Sequence, residues 1–163
     1  MSAEPSDPTR FVRVTREPFE ALWPAVEALV MAHAQEVEPV GTPRRIKIDV
    51  ERMIKADRLG LIRCYSLRVD GVLKGYCTWN VSWDLESEGL PIATQGAWFV
   101  EPGSPWGSGA KLFMESLAGL KTIGIQCVFP HHRLQGRGER IGRFFKSLGA
   151  IPIQETYQLW IGE

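Results

Sequence analysis

Gly103, Gly107 and Gly109 are the residues whose type and spacing most directly suggest chemistry. They lie in a Gly/Pro/Ser segment, Pro102 to Gly109, together with Ser104, Pro105, Trp106 and Ser108. Lacking a Cβ, such positions let the backbone come close to a ligand and turn sharply. In the segment that follows, Ala110 to Lys121, the residues Ala110, Phe113, Met114, Leu117 and Ala118 share one face and Lys111 and Glu115 take the other. That spacing predicts an amphipathic helix. Its first turn aims unbonded N–H groups and a positive dipole end at the glycine loop. A loop of this kind suits a diphosphate. A dinucleotide-binding domain is disfavoured, because the Gly-x-Gly lacks a third spaced glycine and falls late in the chain.

Other residues point less sharply. His131 and His132 are adjacent, so their side chains diverge, and no third ligand stands at a familiar metal spacing. Cys64, Cys77 and Cys127 make an odd count with no Cys-x-x-Cys pattern and fall in predicted strands, where buried free thiols are expected. Arg133, Arg137, Arg140 and Arg143 recur at helical spacing; they read first as a solvated stripe and second as contacts for a phosphate or an acidic partner. Trp106 stands alone among polar and small residues, where it would cap a bound ligand or obstruct the groove.

The elements that must carry these groups follow from hydrophobic period. Met1 to Thr9 reads as a disordered tail, and residues 10–163 as a single domain, the length allowing one core and not two ordinary ones. Arg10 to Thr15 reads as an edge strand. Pro18 opens a helix with Phe19, Leu22, Trp23, Val26, Leu29, Val30 and His33 on one stripe, and Pro24 inside it predicts a kink or restart. His33 on that stripe reads as a hydrogen-bonded core or rim residue. A second helix runs from an Asp49 cap to Leu59, stopped by Gly60. A hairpin joins Leu61–Val69 to a strand whose apolar face is Leu73, Gly75, Cys77, Trp79, Val81 and Trp83, turning at Asp70-Gly71. Tyr76, Asn80 and Asp84 occupy its polar face, where they could contact an amine. Strands at Ala93–Glu101 and Ile123–Phe129 flank the glycine loop and its helix. A last helix buries Ile141, Phe144, Phe145 and Leu148 and ends at Gly149, before a closing strand at Ile151–Ile161.

Lys plus Arg and Asp plus Glu both total 19, so no global charge draws the chain to nucleic acid or an anionic membrane. No apolar run approaches a membrane span, and the polar start MSAEPSDPTR is unlike a signal peptide, so a cytoplasmic location is expected.

The order strand, glycine loop, helix, strand resembles the acetyl-CoA-binding core of the GNAT N-acetyltransferases. That superfamily's strand carries a pattern like V-x-P, matched by Val100-Glu101-Pro102, and its loop Q/R-x-x-G-x-G/A, matched by Ser104 to Gly109 with Ser104 in place of Gln or Arg. His33 and Glu36, Gly75-Tyr76, Glu115 with Leu120-Lys121 and Gly124, and Phe144 to Ala150 followed by Glu155-Thr156-Tyr157 resemble a small branch often encoded by phages. The resemblance implies an α/β sandwich with a mixed central sheet of roughly six to seven strands flanked by helices, four in this chain's expected order. It also implies acetyl-CoA as cosubstrate and transfer of an acetyl group to an amine by direct attack. The backbone at Phe99, Val100 and Glu101 would then hold the pantetheine arm and the carbonyl. Ser104, Trp106, Gly107, Ser108, Gly109 and Ala110 would take the diphosphate. Base candidates are Glu101 and His131 (or His132), beyond strand ends where such residues reach a crevice. The family's tyrosine acid is replaced by Phe145 and its earlier asparagine by Gly138, leaving Tyr157 as acid candidate. Arg133 to Gly138 fits the loop pattern letter for letter, but too little chain follows it to complete the core. The replacements open a second reading, an inactive protein of this fold that binds a partner, such as a phage structural or host-interaction protein acting in the host cytoplasm or virion. Homodimer formation is compatible with either.

Overall fold

A computed structural model describes residues 10–37, 47–132 and 138–154. They divide after Phe129 into two compact units.

The first unit is built on a five-stranded sheet of order β1-β2-β3-β4-β5. Its strands are β1 (Val12–Arg16), β2 (Ile62–Val69), β3 (Val72–Trp83), β4 (Pro91–Val100) and β5 (Cys127–Phe129). The first four pair antiparallel in sequence order, and β5 joins β4 parallel, so the sheet is mixed. The β2–β3 turn has the expected residues: Asp70 and Gly71 take φ values of 51° and 84°, as a tight hairpin requires. Asp70 also accepts from Phe11 N–H through its side chain and donates its own N–H to the Phe11 carbonyl, which pins the start of β1.

Helices cover both faces of the sheet. On one face lie α1 (Phe19–Val37) and α2 (Val50–Arg58). Phe19, Leu22, Val26 and Leu29 of α1 pack with Ile62, Cys64, Tyr76 and Phe99 of the sheet, as the helical stripe predicts. Asp49 caps α2 by accepting from Arg52 N–H. On the other face lies α3 (Ser108–Thr122), where Phe113 meets Trp79 and Trp98, and Ser116 meets Cys77. The second unit contains α4 (Gly138–Ser147).

Five sequence expectations are corrected. The sheet has five strands among the described residues, not six to seven: Ile151–Gln154 forms no ladder, Ile151 and Ile153 are exposed, and Pro152 has no N–H to donate. The rest of the expected closing strand lies outside the described residues. Pro24 does not restart α1, which runs continuously from Phe19 to Val37. Tyr76, expected on a polar face, is only 4% exposed, because α1 covers the side of β3 that the alternation left to solvent. The buried stripe of α3 is Leu112, Phe113, Ser116 and Leu120, while Met114 is exposed. The stripe is rotated because Gly119 and Ser116 allow the helix to sit close: a Cβ at Gly119 would meet Tyr65 Oη at 2.4 Å. In α4, Phe145 is buried as expected and Leu148 is exposed.

Candidate functional site

The pairing of β4 with its two neighbours is unequal. Against β3 it pairs from Pro91 to Val100, but against β5 only from Ile92 to Thr94. Among the described residues, β4 beyond Thr94 has a ladder on its β3 side alone. Glu101 N–H donates to the Lys74 carbonyl, which fixes the phase of the ladder at this end. By strand alternation, Phe99 and Ala97 also turn their backbone groups toward β3, while Trp98 and Val100 turn theirs the other way. Gly96 is the extra residue of a bulge, since Trp79 faces Gln95 while Thr78 faces Ala97. A side chain at Gly96 would collide with Thr78 Oγ1 at 2.7 Å.

Past Val100 the chain makes two successive turns. Ser104 donates its N–H (3.3 Å) and its hydroxyl (2.7 Å) to the Glu101 carbonyl. Ser108 does the same to the Pro105 carbonyl, at 3.1 and 2.6 Å. Gly103 and Gly107 adopt φ values of 86° and 83°, and a Cβ at either would meet no atom within 4 Å. The loop is therefore open on its glycine side. Gly107 is the N-cap of α3 and supplies no side-chain cap. With Ser108 N–H already bonded, the amides of Gly107, Gly109 and Ala110 have no helical carbonyl to use. Trp98 Nε1 donates to the Gly109 carbonyl at 3.2 Å, tying the first turn of α3 to this part of β4. The arrangement aligns a strand end, paired among the described residues on its β3 side alone, with a glycine loop and a helix N-terminus. It fits an extended amide-bearing chain that ends in a diphosphate. Trp106 is 87% exposed on this loop.

The α1 face of the same strand end carries titratable groups. His33 Nδ1 lies 2.8 Å from Tyr76 Oη, and its ring stacks on Phe99 with centroids 4.9 Å apart. Burial raises the Tyr76 phenol well above its usual pKa, with nearby Cys77 adding to the effect, so it stays protonated. Two residues further along each strand, Lys74 bonds Glu101 at 2.5 Å. Tyr76 and Lys74 alternate to the same side of β3, as do Phe99 and Glu101 of β4, so these groups share one face.

The expected site residues thus fall in three places. Phe99, Val100, Ser104, Trp106, Gly107, Ser108, Gly109, Ala110 and Glu101 belong to one continuous segment of the first unit. His131 is an exposed residue of the second unit. Tyr157 lies outside the described residues, as do five of the six residues of the Arg133–Gly138 segment, all but Gly138. His132 lies beside Phe145 in the second unit, the rings tilted with centroids 6.2 Å apart. Sequence reasoning noted His33 and Tyr76 separately and missed that they pair. The available signal was a polar ring on an apolar helical stripe and a tyrosine on a strand, with nothing to register one against the other.

Two further features are not part of this site. Cys64 and Cys77 are free and buried, and burial pushes both thiols up to about 12, which makes them poor nucleophiles. A recess of about 570 Å³ at the far end of α3 is lined by Leu117, Leu120, Lys121, Ile125 and Val128, with little convergent polar chemistry. Among the described residues no three metal-ligating side chains converge, and no helix is long and apolar enough to cross a membrane.

Neither a family model nor a curated protein sequence matches the chain. Solved structures do. An aminoglycoside acetyltransferase from an uncultured soil metagenomic sample, in complex with trehalose, is similar over 94% of this chain and 97% of its own, with TM-score 0.69 and 17% identity. The ribosomal-protein-alanine N-acetyltransferase of Brucella melitensis biovar Abortus 2308 matches over 93% of this chain and 100% of its own, with TM-score 0.69 and 14% identity. A predicted acetyltransferase with acetyl-CoA from Clostridium acetobutylicum matches over 93% and 97%, with TM-score 0.64 and 10% identity. The chain shares its fold with these acetyltransferase structures. At these identities the likeness speaks for the architecture, a mixed sheet with helices on both faces, and the chemistry must be argued from the residues.

Proposed function

We propose that this protein is an acetyl-CoA-dependent N-acetyltransferase of GNAT type that moves an acetyl group to an amine of a small molecule or protein by direct attack. The observation that carries this reading is the end of β4, paired among the described residues on its β3 side alone, which leads without interruption into the open glycine loop and the N-terminus of α3. The outward amides of Trp98 and Val100 would take the pantetheine arm and polarise the thioester carbonyl, with Phe99 and Glu101 completing that strand end. Gly107, Gly109 and Ala110 would receive the diphosphate through their N–H groups, with Ser104 and Ser108 holding the loop and Trp106 covering it. Glu101 is the base candidate on the α1 face, His131 the candidate from the second unit, and Tyr157 the acid candidate. The acceptors named for the neighbours, an aminoglycoside and a ribosomal-protein alanine, are both amines, which agrees with this class of acceptor. A location in the cytoplasm and an origin in the phage-type branch belong to the same proposal.

Isothermal titration of acetyl-CoA into wild type and Gly109→Glu tests it. Gly109 lies in the helix at ordinary φ, and a Cβ there meets only Trp98 at 3.6 Å. An acidic side chain in the first turn also favours the helix, so the variant folds. Micromolar binding by wild type, weakened at least about a hundredfold by the misplaced charge, is the expected outcome. No binding to folded wild type at millimolar acetyl-CoA overturns the enzyme reading. It would favour the partner-binding alternative, to which the exposed Trp106 and the absence of a tyrosine at Phe145 already lend support.

A further inference from the structure

The apolar face of β3 runs further than the helix that covers it. Cys77 and Trp79 meet Ser116 of α3, and Trp79 is fully buried. Two residues on, Val81 is half-buried, and after two more Trp83 is 65% exposed. The alternation itself does not change, for Asn80 and Ser82 on the opposite face are polar and exposed, as solvent-facing positions should be. The Leu61 carbonyl accepts from Val81 N–H at 2.8 Å, which sets Leu61 opposite Val81 on the apolar face, where it is 52% exposed. Pro91 of β4 stands opposite Trp83. Leu85, two residues past Trp83, is 100% exposed. Apolar residues at period two serve to bury one strand face under a second layer. Among the described residues none covers this end, which leaves a contiguous apolar patch of the kind that marks an interaction surface.

The charges beside the patch divide by side. On one side the last turn of α2 runs directly into it: Leu61 N–H donates to the Ala56 carbonyl at 2.9 Å. That turn carries Lys55 and Arg58, both exposed, with Arg58 reaching Glu20 at 2.6 Å. On the other side the connection from β3 to β4 carries Asp84, Glu86 and Glu88. Asp84 shapes this connection, its carboxylate accepting from Glu86 N–H at 2.8 Å and its own N–H donating to the Leu90 carbonyl at 2.9 Å. An apolar stripe with one basic and one acidic end is complementary to itself after a half-turn.

We propose that this end of the sheet is the interface of a two-fold dimer of the chain. Leu61, Trp83 and Leu85 of each copy bury those of the other, and the acidic connection of each copy faces the basic end of α2 in the other. A second copy is the occupant that fits, because a single patch supplies both halves of the charge match. The contact closes on itself and does not propagate into a filament. The inference is independent of the acetyltransferase reading, since the patch lies at the start of β4 and the glycine loop follows its other end.

Sedimentation velocity of the full chain from about 1 to about 200 μM tests it. Wild type is expected to pass from monomer to dimer within that range. Trp83→Asp and Leu61→Asp alter side chains that are more than half exposed, so the fold is retained, as circular dichroism would verify. Each is expected to weaken the dimer by about thirtyfold or more, the loss that follows from removing a central apolar anchor. The charge match is read separately. Glu86→Lys with Glu88→Lys, and Lys55→Glu with Arg58→Glu, are each expected to give a monomer alone. An equimolar mixture of these two double variants is expected to dimerise, because opposite charges then meet at both ends. A wild type that stays monomeric throughout overturns the inference and points to a different protein as occupant. A dimer undiminished in both Trp83→Asp and Leu61→Asp places the interface elsewhere and overturns it too. A mixture of the charge variants that remains monomeric overturns the pairing of acidic with basic ends.

Discussion

The two faces of the sheet are packed by different means. On the α1 face, aliphatic and aromatic side chains fill the interface, and charged pairs sit at its rim. Asp57 is buried there, accepting from Arg16 at 2.6 Å and from Phe19 N–H at 2.8 Å. Glu17 is bound by Arg68 and by the Ser66 hydroxyl. On the α3 face the helix comes close through Gly119 and Ser116. The Ser116 hydroxyl takes Trp79 Nε1 at 3.0 Å and donates to the Phe113 carbonyl at 2.7 Å. The α3 face is close-packed around small residues, with one satisfied polar network. That packing fixes the N-terminus of α3 against β4, where the diphosphate would lie. The α1 face carries polar groups into its packing, and these extend to the strand end where chemistry would take place.

Breaking the α3 face should cost most. Trp79 is 0% exposed, and Trp79→Ala should destabilise by about 4 kcal/mol, through the cavity and the lost partner of Ser116. Chemical denaturation at neutral pH would measure it, and a loss of less than about 1 kcal/mol would mean that α3 re-packs freely.

The α1 rim should be softer. Asp57→Ala removes the acceptor for both Arg16 and the first turn of α1, at an expected cost of about 2 kcal/mol, since Arg16 can turn to solvent. A cost equal to that of Trp79→Ala would erase the distinction between the faces.

The smallest effect is one of pH. Burial alone would raise the Glu17 carboxyl, but hydrogen bonds from Arg68 and Ser66, with the charges of Arg68 and Arg13, outweigh it and hold the group below its ordinary value. A carboxylate lowered in the folded state contributes stability that is present above its unfolded pKa. That contribution is lost as pH falls through the folded one. Stability should therefore decline more steeply as pH falls below the ordinary carboxylate range in wild type than in Glu17→Gln. Parallel urea midpoints from pH 5 to 3 in the two proteins would remove Glu17 as a contributor.

Much of this molecule was legible in its sequence because the deciding interactions are local. Gly103 and Gly107 do take left-handed backbone, Asp49 does cap α2, and Asp70-Gly71 does close the hairpin, each through contacts within a few residues. The stripe on α1 and the strand–loop–helix order at Val100 to Lys121 follow from period alone. These sufficed for the α/β fold class and for the glycine loop before α3. What failed depended on what lies opposite. The alternation of β3 assigned Tyr76 to solvent because a strand cannot report that a helix will cover its second face. Hydrophobicity placed the α3 stripe on Met114 and Ala118, whereas packing against Tyr65 and Trp79 selected Gly119 and Ser116 for their small size. The sequence by itself determined the elements, their order and the glycine loop, since backbone preference and period act over a few residues. Only the tertiary structure decided that β4 pairs with β5 from Ile92 to Thr94 and that His33 meets Tyr76, positions 43 apart, because those relations arise from long-range packing that no local pattern encodes.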